Sequence, residues 1–261
     1  MSRLRPKRIV DLSKEIADNP NDPFFMRVKI KHHAHGKARW LVRALGLPFR
    51  LFPKDFAGWA DDTIARMGVH STTHIDAPWH YGPTLADGRR PATIDEMPLE
   101  LCFGPGVVFD MRHKADGEEI AAADMEASLK ASGAELGAGT IALIRTGRDR
   151  YLGTKDYWKR GTGMSAQATL WLIERGVEVM GVDQWGWDLP FHHQIRFAKE
   201  RNDATLFWQG HLVGRRQPYW QMEQLRGLDQ LPAHGFDVAV FPLRLKGASA
   251  APARVVAFLY D

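Results

Sequence analysis

The feature that most constrains this chain is the stretch from His70 to His80, HSTTHIDAPWH, which carries three histidines and one aspartate. Imidazole and carboxylate side chains are ligands for divalent cations such as zinc and manganese. In a straight strand all four side chains would share one face, but at ~3.3 Å per residue the stretch would span ~33 Å. Because one ion binds ligands only ~2 Å away, the stretch must fold back on itself.

Spacing within this stretch suggests two different roles. His70 and His74 are four residues apart, which fits one helical turn or an equally compact loop. Pro78 lacks a backbone N–H and favours an extended residue before it, so any such turn should end near Ala77. We therefore expect His80 to lie away from the ligand cluster and to transfer protons rather than bind metal. The alternative is an accidental run of polar loop residues.

The composition is that of an ordinary globular protein and narrows the possible functions. A length of 261 residues allows one large α/β domain or two small ones. The formal net charge of +4 indicates a mildly basic surface, but no nucleic-acid-binding motif accompanies it. Cys102 is the only cysteine, which excludes an intrachain disulfide and a cysteine zinc cage. Because no signal-peptide-like or membrane-spanning apolar run occurs, we expect a cytoplasmic protein without nucleic-acid or membrane partners.

Local patterns predict an α/β fold. Apolar runs predict strands at residues 9–12, 63–69, 106–110, 140–145, 177–182, 236–243 and 255–260. We expect the second of these strands to deliver the histidine stretch. Residues 122–132 are typical of a helix that stops at Gly133. Ser165 is a typical N-cap for a further helix, in which Ala166, Leu170 and Ile173 share one face. Strand, helix and strand within residues 140–183 indicate a parallel or mixed sheet covered by helices.

The segment before the histidine stretch has a different composition. His32, His33 and His35 lie among basic residues without a nearby carboxylate in the sequence, so we predict an exposed loop rather than a metal site. Residues 40–47 predict a short amphipathic helix ended by Gly46 and Pro48. We find no internal repeat and no domain boundary, and therefore expect a single domain over residues 1–261.

The histidine stretch resembles the motif His-x-Gly-Thr-His-x-Asp-x-Pro-x-His of the cyclase family of metal-dependent hydrolases, which includes kynurenine formamidase, isatin hydrolase and trans-dienelactone hydrolase. Thr72 is the one departure, since glycine is usual there, and a β-branched residue restricts the backbone more than glycine does. The resemblance extends over nearly the whole chain, through segments similar to those of the family at 11–13, 145–147, 163–165, 181–183, 223–228, 242–243 and 252–254. Residues 24–56 look like a longer, more basic insertion.

The resemblance implies a mixed sheet with flanking helices, of the swivelling β/β/α type, assembled as a homodimer or homotetramer. It also implies the site residues. His70, His74 and Asp76 would bind a first divalent ion, zinc or manganese. His211 and Glu223 match the residues that complete a second metal site in two-metal members. One or two ions are therefore possible, and with one ion His211 and Glu223 would instead orient water or substrate.

The expected chemistry is hydrolysis by metal-activated water, with His80 as general acid and base and Glu223 in a second catalytic role. Our first hypothesis for the substrate is a small aromatic molecule with an N-formyl amide, cyclic amide or imide bond. Trp79, Trp185 and Trp187 flank the candidate site loops and are predicted to stack on it. The alternatives are a lactone or ester hydrolase, a cyclase or dehydratase without net hydrolysis, and a metal-stabilised binding protein. We expect Asp183 to be structural, as an acceptor for loop amides at a strand end.

Overall fold

The fold is built on one eight-stranded sheet in a computed structural model that describes residues 5–260. The strands are β1 (Arg8–Asp11), β2 (Lys29–Lys31), β3 (Thr63–Arg66), β4 (His74–Asp76), β5 (Phe103–Asp110), β6 (Glu119–Ile120), β7 (Ile141–Arg145), β8 (Gly163–Met164), β9 (Val179–Val182), β10 (Trp220–Glu223), β11 (Phe236–Pro242) and β12 (Ala250–Leu259). The α-helices are α1 (Gly36–Ala44), α2 (Ala122–Ser132), α3 (Ala166–Ile173), α4 (Phe191–Arg201) and α5 (Gln209–Val213).

The main sheet is mixed. Its strand order is β1-β12-β11-β5-β7-β9-β10-β4. The last strand, β4, also pairs with the second strand, β12, so the strands from β12 to β4 form a closed ring of pairings. The four strands β5, β7, β9 and β10 run parallel, whereas the pairings of β1, β4, β11 and β12 are antiparallel. The predicted α/β class, with a mixed sheet and flanking helices, is confirmed.

Apolar residues on both faces of the central strands bury the sheet on both sides. In β7, Ile141 and Leu143 pack into one core cluster, and Ala142 and Ile144 pack into the other. Side chains alternate between the faces of a strand, and a parallel strand covered on both sides is therefore apolar throughout. This is why residues 140–145 form a continuous apolar run rather than an alternating one.

The predicted strand–helix–strand unit is present. β7 pairs parallel with β9, and the Ser165 hydroxyl accepts the Ala168 N–H at 3.1 Å at the start of α3. The residues predicted to share one face, Ala166, Leu170 and Ile173, are partly buried, and Ile173 packs against the core. The most deeply buried residues of the helix are Ala168, Thr169, Trp171 and Leu172. Helix α3 packs against both α2 and α5.

The described chain divides into two compact units, residues 16–68 and residues 5–15 with 69–260. The insertion expected at 24–56 lies within the smaller unit, and the assignment of one domain stays a prediction. Within the smaller unit, β3 pairs antiparallel with β2 in a separate two-stranded sheet. The strand expected at residues 63–69 is therefore present over Thr63–Arg66, and it ends before the turn at residues 69–73 that carries His70.

Two other predictions in the smaller unit are corrected or refined. Helix α1 starts at Gly36, four residues before the predicted start. The end agrees better, since Leu45 caps the helix and Gly46 follows with φ +108°. His32 does have an acidic neighbour, Asp62, at 3.3 Å. Both side chains are more than half exposed, which fits the predicted exposed loop.

None of the helices within residues 5–260 has the length and apolar character needed to cross a membrane.

Candidate metal centre

Residues 70–80 fold back on themselves as predicted, but not by a helical turn. A turn at residues 69–73 leads into β4, which contains both His74 and Asp76. A 3-10 helix, Pro78–Tyr81, then begins at the proline and returns His80 towards His70, with ring centroids 4.3 Å apart. Proline suits a first helical position because its fixed φ is already helical and its N–H is not needed. His80 is therefore part of the cluster, and its predicted displacement was wrong.

Asp76 is the carboxylate around which the histidines gather. Its Oδ1 lies 2.9 Å from His70 Nδ1 and 3.2 Å from His74 Nε2, and the side chain is fully buried. Burial raises the pKa of Asp76, but the neighbouring imidazoles of His74 and His70 outweigh burial and hold that pKa well below its ordinary value. The carboxylate is thus a buried anion among rings that can carry positive charge.

Glu223 enters the site from the neighbouring strand. β10 and β4 pair antiparallel with Glu223 opposite His74, and Glu223 Oε2 lies 3.7 Å from His74 Nε2. Glu223 Oε1 accepts the Trp187 N–H at 2.9 Å and a Gln221 amide N–H at 2.7 Å. Burial, reinforced by the Asp76 charge, raises the pKa of Glu223.

His211 completes the site from α5. Its Nε2 lies 3.6 Å from Glu223 Oε1. Its Nδ1 lies 2.5 Å from Asp188 Oδ2, and Asp188 also accepts the backbone N–H groups of Gly210 at 2.7 Å and His211 at 3.2 Å. Burial lowers the pKa of His211, but the hydrogen bond to Asp188 outweighs it, so the pKa is raised. With Nδ1 donating to Asp188, the Nε2 lone pair faces the site, as a metal-binding histidine requires.

These side chains fit a divalent cation. His70, Asp76 and His80 offer ligand atoms within 4.8 Å of one another, and so do His74, Asp76 and Glu223. Two imidazole nitrogens lie 2.9 and 3.2 Å from Asp76 Oδ1 as ion-pair neighbours, but this buried oxygen accepts no hydrogen bond from the described residues. A buried anionic oxygen without a donor is costly. A cation among nitrogen and carboxylate ligands would remove that cost, and the donor set suits zinc or manganese.

His80 is a neutral base in this site. Burial lowers the pKa of His80 to about 4; the Asp76 charge opposes this shift, and the imidazoles of His70 and His211 add to it. An imidazole in water titrates near neutrality, and burial moves the pKa of His80 below that range. At pH 7 the ring therefore carries no positive charge and can accept a proton.

The three predicted substrate-binding tryptophans lie in different environments. Trp79 is 36% exposed, and Trp185 packs on Trp158 and Phe191, with ring centroids 5.3 and 5.5 Å away. Trp187 is fully buried in the core, and its indole N–H donates to Thr169 at 3.0 Å. A ring held in the core cannot stack on a substrate, so the prediction for Trp187 is corrected: its backbone N–H holds Glu223 instead.

Four residues around the predicted ligands, Asp188, Trp208, Tyr219 and Gln221, were not among the predicted site residues. The Gln221 amide nitrogen lies within 3.4 Å of Asp76 Oδ2 and 3.2 Å of His211 Nε2. Tyr219 fixes that amide by donating to its oxygen at 2.9 Å. The alternation Tyr219, Gln221, Glu223 is a sequence signal for two of them, since alternate residues of an extended segment share one face.

Asp183 lies outside the metal centre. It is buried and accepts the Thr146 N–H at 2.7 Å, the Thr146 hydroxyl at 2.6 Å and the Gly147 N–H at 2.8 Å. The expected structural role at a strand end is confirmed.

Known proteins resemble this chain in sequence. A family described as putative cyclase matches residues 10–189. Isatin hydrolase of Roseibium aggregatum is 24% identical over 204 residues, which cover 74% of this chain and 73% of that protein. Kynurenine formamidase of Paracidovorax citrulli is 29% identical over 191 residues, which cover 73% of this chain and 76% of that protein.

Solved structures resemble the fold. An isatin hydrolase bound to the product analogue thioisatinate has a TM-score of 0.70 at 20% identity and covers 97% of this chain and 93% of its own. A structure described as a novel cyclase has a TM-score of 0.74 at 21% identity, and the match covers 98% of this chain and 89% of that one. A structure described as a potential metal-dependent hydrolase with cyclase activity has a TM-score of 0.61 at 20% identity, and the match covers 97% of this chain and 98% of that one. At these identities the likeness supports the fold.

Proposed function

Because this chain belongs to the cyclase family, we propose that it is a metal-dependent hydrolase that cleaves an amide carbon–nitrogen bond of a small aromatic substrate. Two similar proteins are named as hydrolases, isatin hydrolase and kynurenine formamidase, and one similar structure is described as a potential metal-dependent hydrolase. The observation that carries the proposal is the convergence of His70, His74, Glu223 and His80 on the buried Asp76 carboxylate.

We assign His70, His74 and Asp76 as ligands of a first zinc or manganese ion, and His211 and Glu223 as ligands of a second ion that shares Asp76. A divalent ion in such a site lowers the pKa of coordinated water towards ~7 and polarises the carbonyl group under attack. Asp188 and Gln221 would hold their neighbours His211 and Glu223 in place.

His80 would carry the proton that the reaction moves. The oxygen of water forms a bond to the carbonyl carbon, the carbon–nitrogen bond breaks, and the proton lost by water goes to the leaving nitrogen. His80 is neutral at pH 7 because burial lowers its pKa to about 4, so it can accept this proton and then donate it. A group that is easily deprotonated gives the proton up readily, which suits transfer to an amine leaving group.

The test is hydrolysis by purified protein that has been stripped with a chelator and then reloaded with zinc or manganese. We expect N-formylkynurenine or isatin to be cleaved only after reloading. Full activity in metal-free protein would sink the proposal, and cleavage confined to lactones or esters in the same panel would favour the rival hydrolase.

The role of His80 has its own variant. His80→Ala should lower kcat by ~100-fold or more, the usual contribution of a positioned acid or base. The matched control is His234→Ala, which removes an exposed imidazole from the turn before β11 and should leave kcat unchanged. Normal turnover by His80→Ala at unchanged metal content would show that the assignment is wrong.

The homodimer or homotetramer expected from the resemblance stays a prediction, which sedimentation of the pure protein can check.

A further inference from the structure

Trp208 has an unusual backbone conformation next to the metal centre. Its φ of 59° and ψ of 32° are left-handed, and only Asn202 and Gln224 share a positive φ among the non-glycine residues of 5–260. Asparagine adopts this region readily, whereas a bulky aromatic residue does so at a cost. Such conformations persist where the surrounding structure enforces them, and they cluster at functional sites. Gln224 fits this pattern too, since it directly follows Glu223.

The indole of Trp208 touches two imidazoles of the site. Its ring stacks on the His211 ring, with centroids 4.7 Å apart and planes inclined by 15°. It also meets the His80 ring edge-on, with centroids 5.4 Å apart and planes inclined by 81°. Stacked and edge-to-face pairs both restrict ring rotation and contribute beyond their buried area. Trp208 thus contacts one predicted ligand and the predicted proton carrier at once.

Buried groups hold the strained turn on both sides of Trp208. Gln194, 3% exposed, accepts the Trp208 N–H at 2.7 Å and donates to the Leu189 carbonyl at 2.5 Å. Asp188 accepts the N–H groups of Gly210 and His211 just beyond it. The segment from Asp188 to Gln194 therefore fixes both the backbone that strains Trp208 and the imidazole on which its ring stacks.

We propose that Trp208 is a positioning residue, whose indole holds the His211 and His80 rings in the orientations that metal binding and proton transfer require. The inference rests on the proposed hydrolase function. Asp188 restrains His211 through its Nδ1 edge, which leaves rotation about that hydrogen bond open. A flat ring stacked on the imidazole face removes that freedom, and an aliphatic side chain of similar bulk would not.

The test compares Trp208→Phe with Trp208→Leu. Both keep a large apolar side chain on the same strained backbone, but only phenylalanine offers a flat ring. We expect Trp208→Phe to stay within ~3-fold of the parent in zinc affinity and kcat, and Trp208→Leu to lose ~10-fold or more in both, the usual effect of removing support behind a ligand. KM should change little. The matched control is Phe207→Leu, because the adjacent Phe207 is 40% exposed and stacks on Phe191 instead of an imidazole.

Zinc titration of the stripped protein separates this inference from the proposed function. If no substrate is hydrolysed by the parent protein, the proposed function fails, while the zinc affinities of the two variants still test Trp208. Equal zinc affinity in Trp208→Phe and Trp208→Leu would overturn the inference. A change confined to KM would overturn it as well, because it would make Trp208 a substrate contact. If Trp208→Leu does not fold, Gln194→Leu, which releases the Trp208 N–H, should lower zinc affinity in its place, and unchanged affinity would count against the inference.

Discussion

At the scale of single residues, the candidate centre depends on acceptors that orient the histidines. Asp188 fixes the Nδ1 edge of His211 and also accepts two backbone N–H groups around it. Gln221 restrains Glu223 in a similar way and is itself held by Tyr219. Residues that orient metal ligands in this manner typically change metal affinity or activity by ~10–100-fold when replaced.

Asp188→Asn should therefore weaken zinc binding by ~10–100-fold, because an amide nitrogen would face donors that need an acceptor. Titration of the stripped protein with zinc measures this. Asp203→Asn is the matched control: Asp203 is a partly exposed acceptor for Thr205, outside the site, and its replacement should leave zinc affinity unchanged. Unaltered zinc affinity in Asp188→Asn would show that His211 does not bind the ion.

Asp183 should make stability depend on pH. Burial raises its pKa from the ordinary 3.8 to about 6, although Thr146 and Gly147 donate hydrogen bonds that favour the charged form. The folded protein then keeps a proton that the unfolded chain releases, so this contribution is complete below pH ~4 and is lost as pH rises through ~6. The free energy of unfolding of the parent, relative to Asp183→Asn, should fall by up to about 3 kcal/mol from pH 4 to pH 7 in urea titrations. A rise over that range would mean that the hydrogen bonds outweigh burial.

At the scale of elements, short strands in register position the proposed ligands. β4 has three residues, and its pairing with β10 places His74 opposite Glu223 and Asp76 opposite Gln221. β4 pairs on its other side with β12, so the ligand-bearing strand is hydrogen-bonded at both edges. This pairing leaves little freedom for the strand to shift and lose its ligand geometry.

Helix α3 offers a test of an element that supports the sheet without contributing a ligand. Ser165→Ala removes the hydroxyl that accepts the Ala168 N–H and should lower the free energy of unfolding by about 1 kcal/mol. Zinc affinity should not change. Thr84→Ala, which removes an exposed hydroxyl from a loop outside the helices, should cost less than ~0.5 kcal/mol. Equal losses in both variants would mean that the cap contributes nothing specific.

At the scale of the whole molecule, a bound ion should stabilise the fold. The proposed ligands come from the turn at residues 69–73, β4, α5 and β10, and segments this far apart in the sequence are assembled only in the folded protein. A ligand that binds only the folded state stabilises it by about 2.7 kcal/mol at a concentration 100 times its Kd.

Chelator should accordingly lower the Tm of the parent by roughly 5–10 °C, judged from the usual 2–4 °C per kcal/mol in proteins of this size. Thermal unfolding followed by circular dichroism, with chelator and with added zinc or manganese, measures the shift. His74→Ala removes a fully buried predicted ligand and should abolish the dependence on metal. An equal shift in the variant would place the stabilising ion elsewhere.

The sequence by itself determined the α/β class, six of the eight strands of the main sheet, the Ser165 cap and the folding back of residues 70–80. Each of these follows from local chemistry. A continuous apolar run indicates a strand buried on both faces, and a hydroxyl residue before an apolar pattern indicates a helix start. The candidate ligands at residues 70–80 are too far apart in an extended strand to bind one ion, so that stretch must fold back. The family motif further singled out His211 and Glu223, and the structure brings both to within 3.7 Å of another member of the cluster.

Only the tertiary structure decided where His80 lies, that its pKa falls to about 4, and that Trp187 belongs to the core. It also decided that β3 pairs outside the main sheet and that Asp188, Gln221 and Trp208 surround the ligands. The reason is common to all of them. Burial, strand register and ring stacking depend on which segments that are distant in the sequence come into contact in the folded chain. No local pattern of residues specifies those contacts.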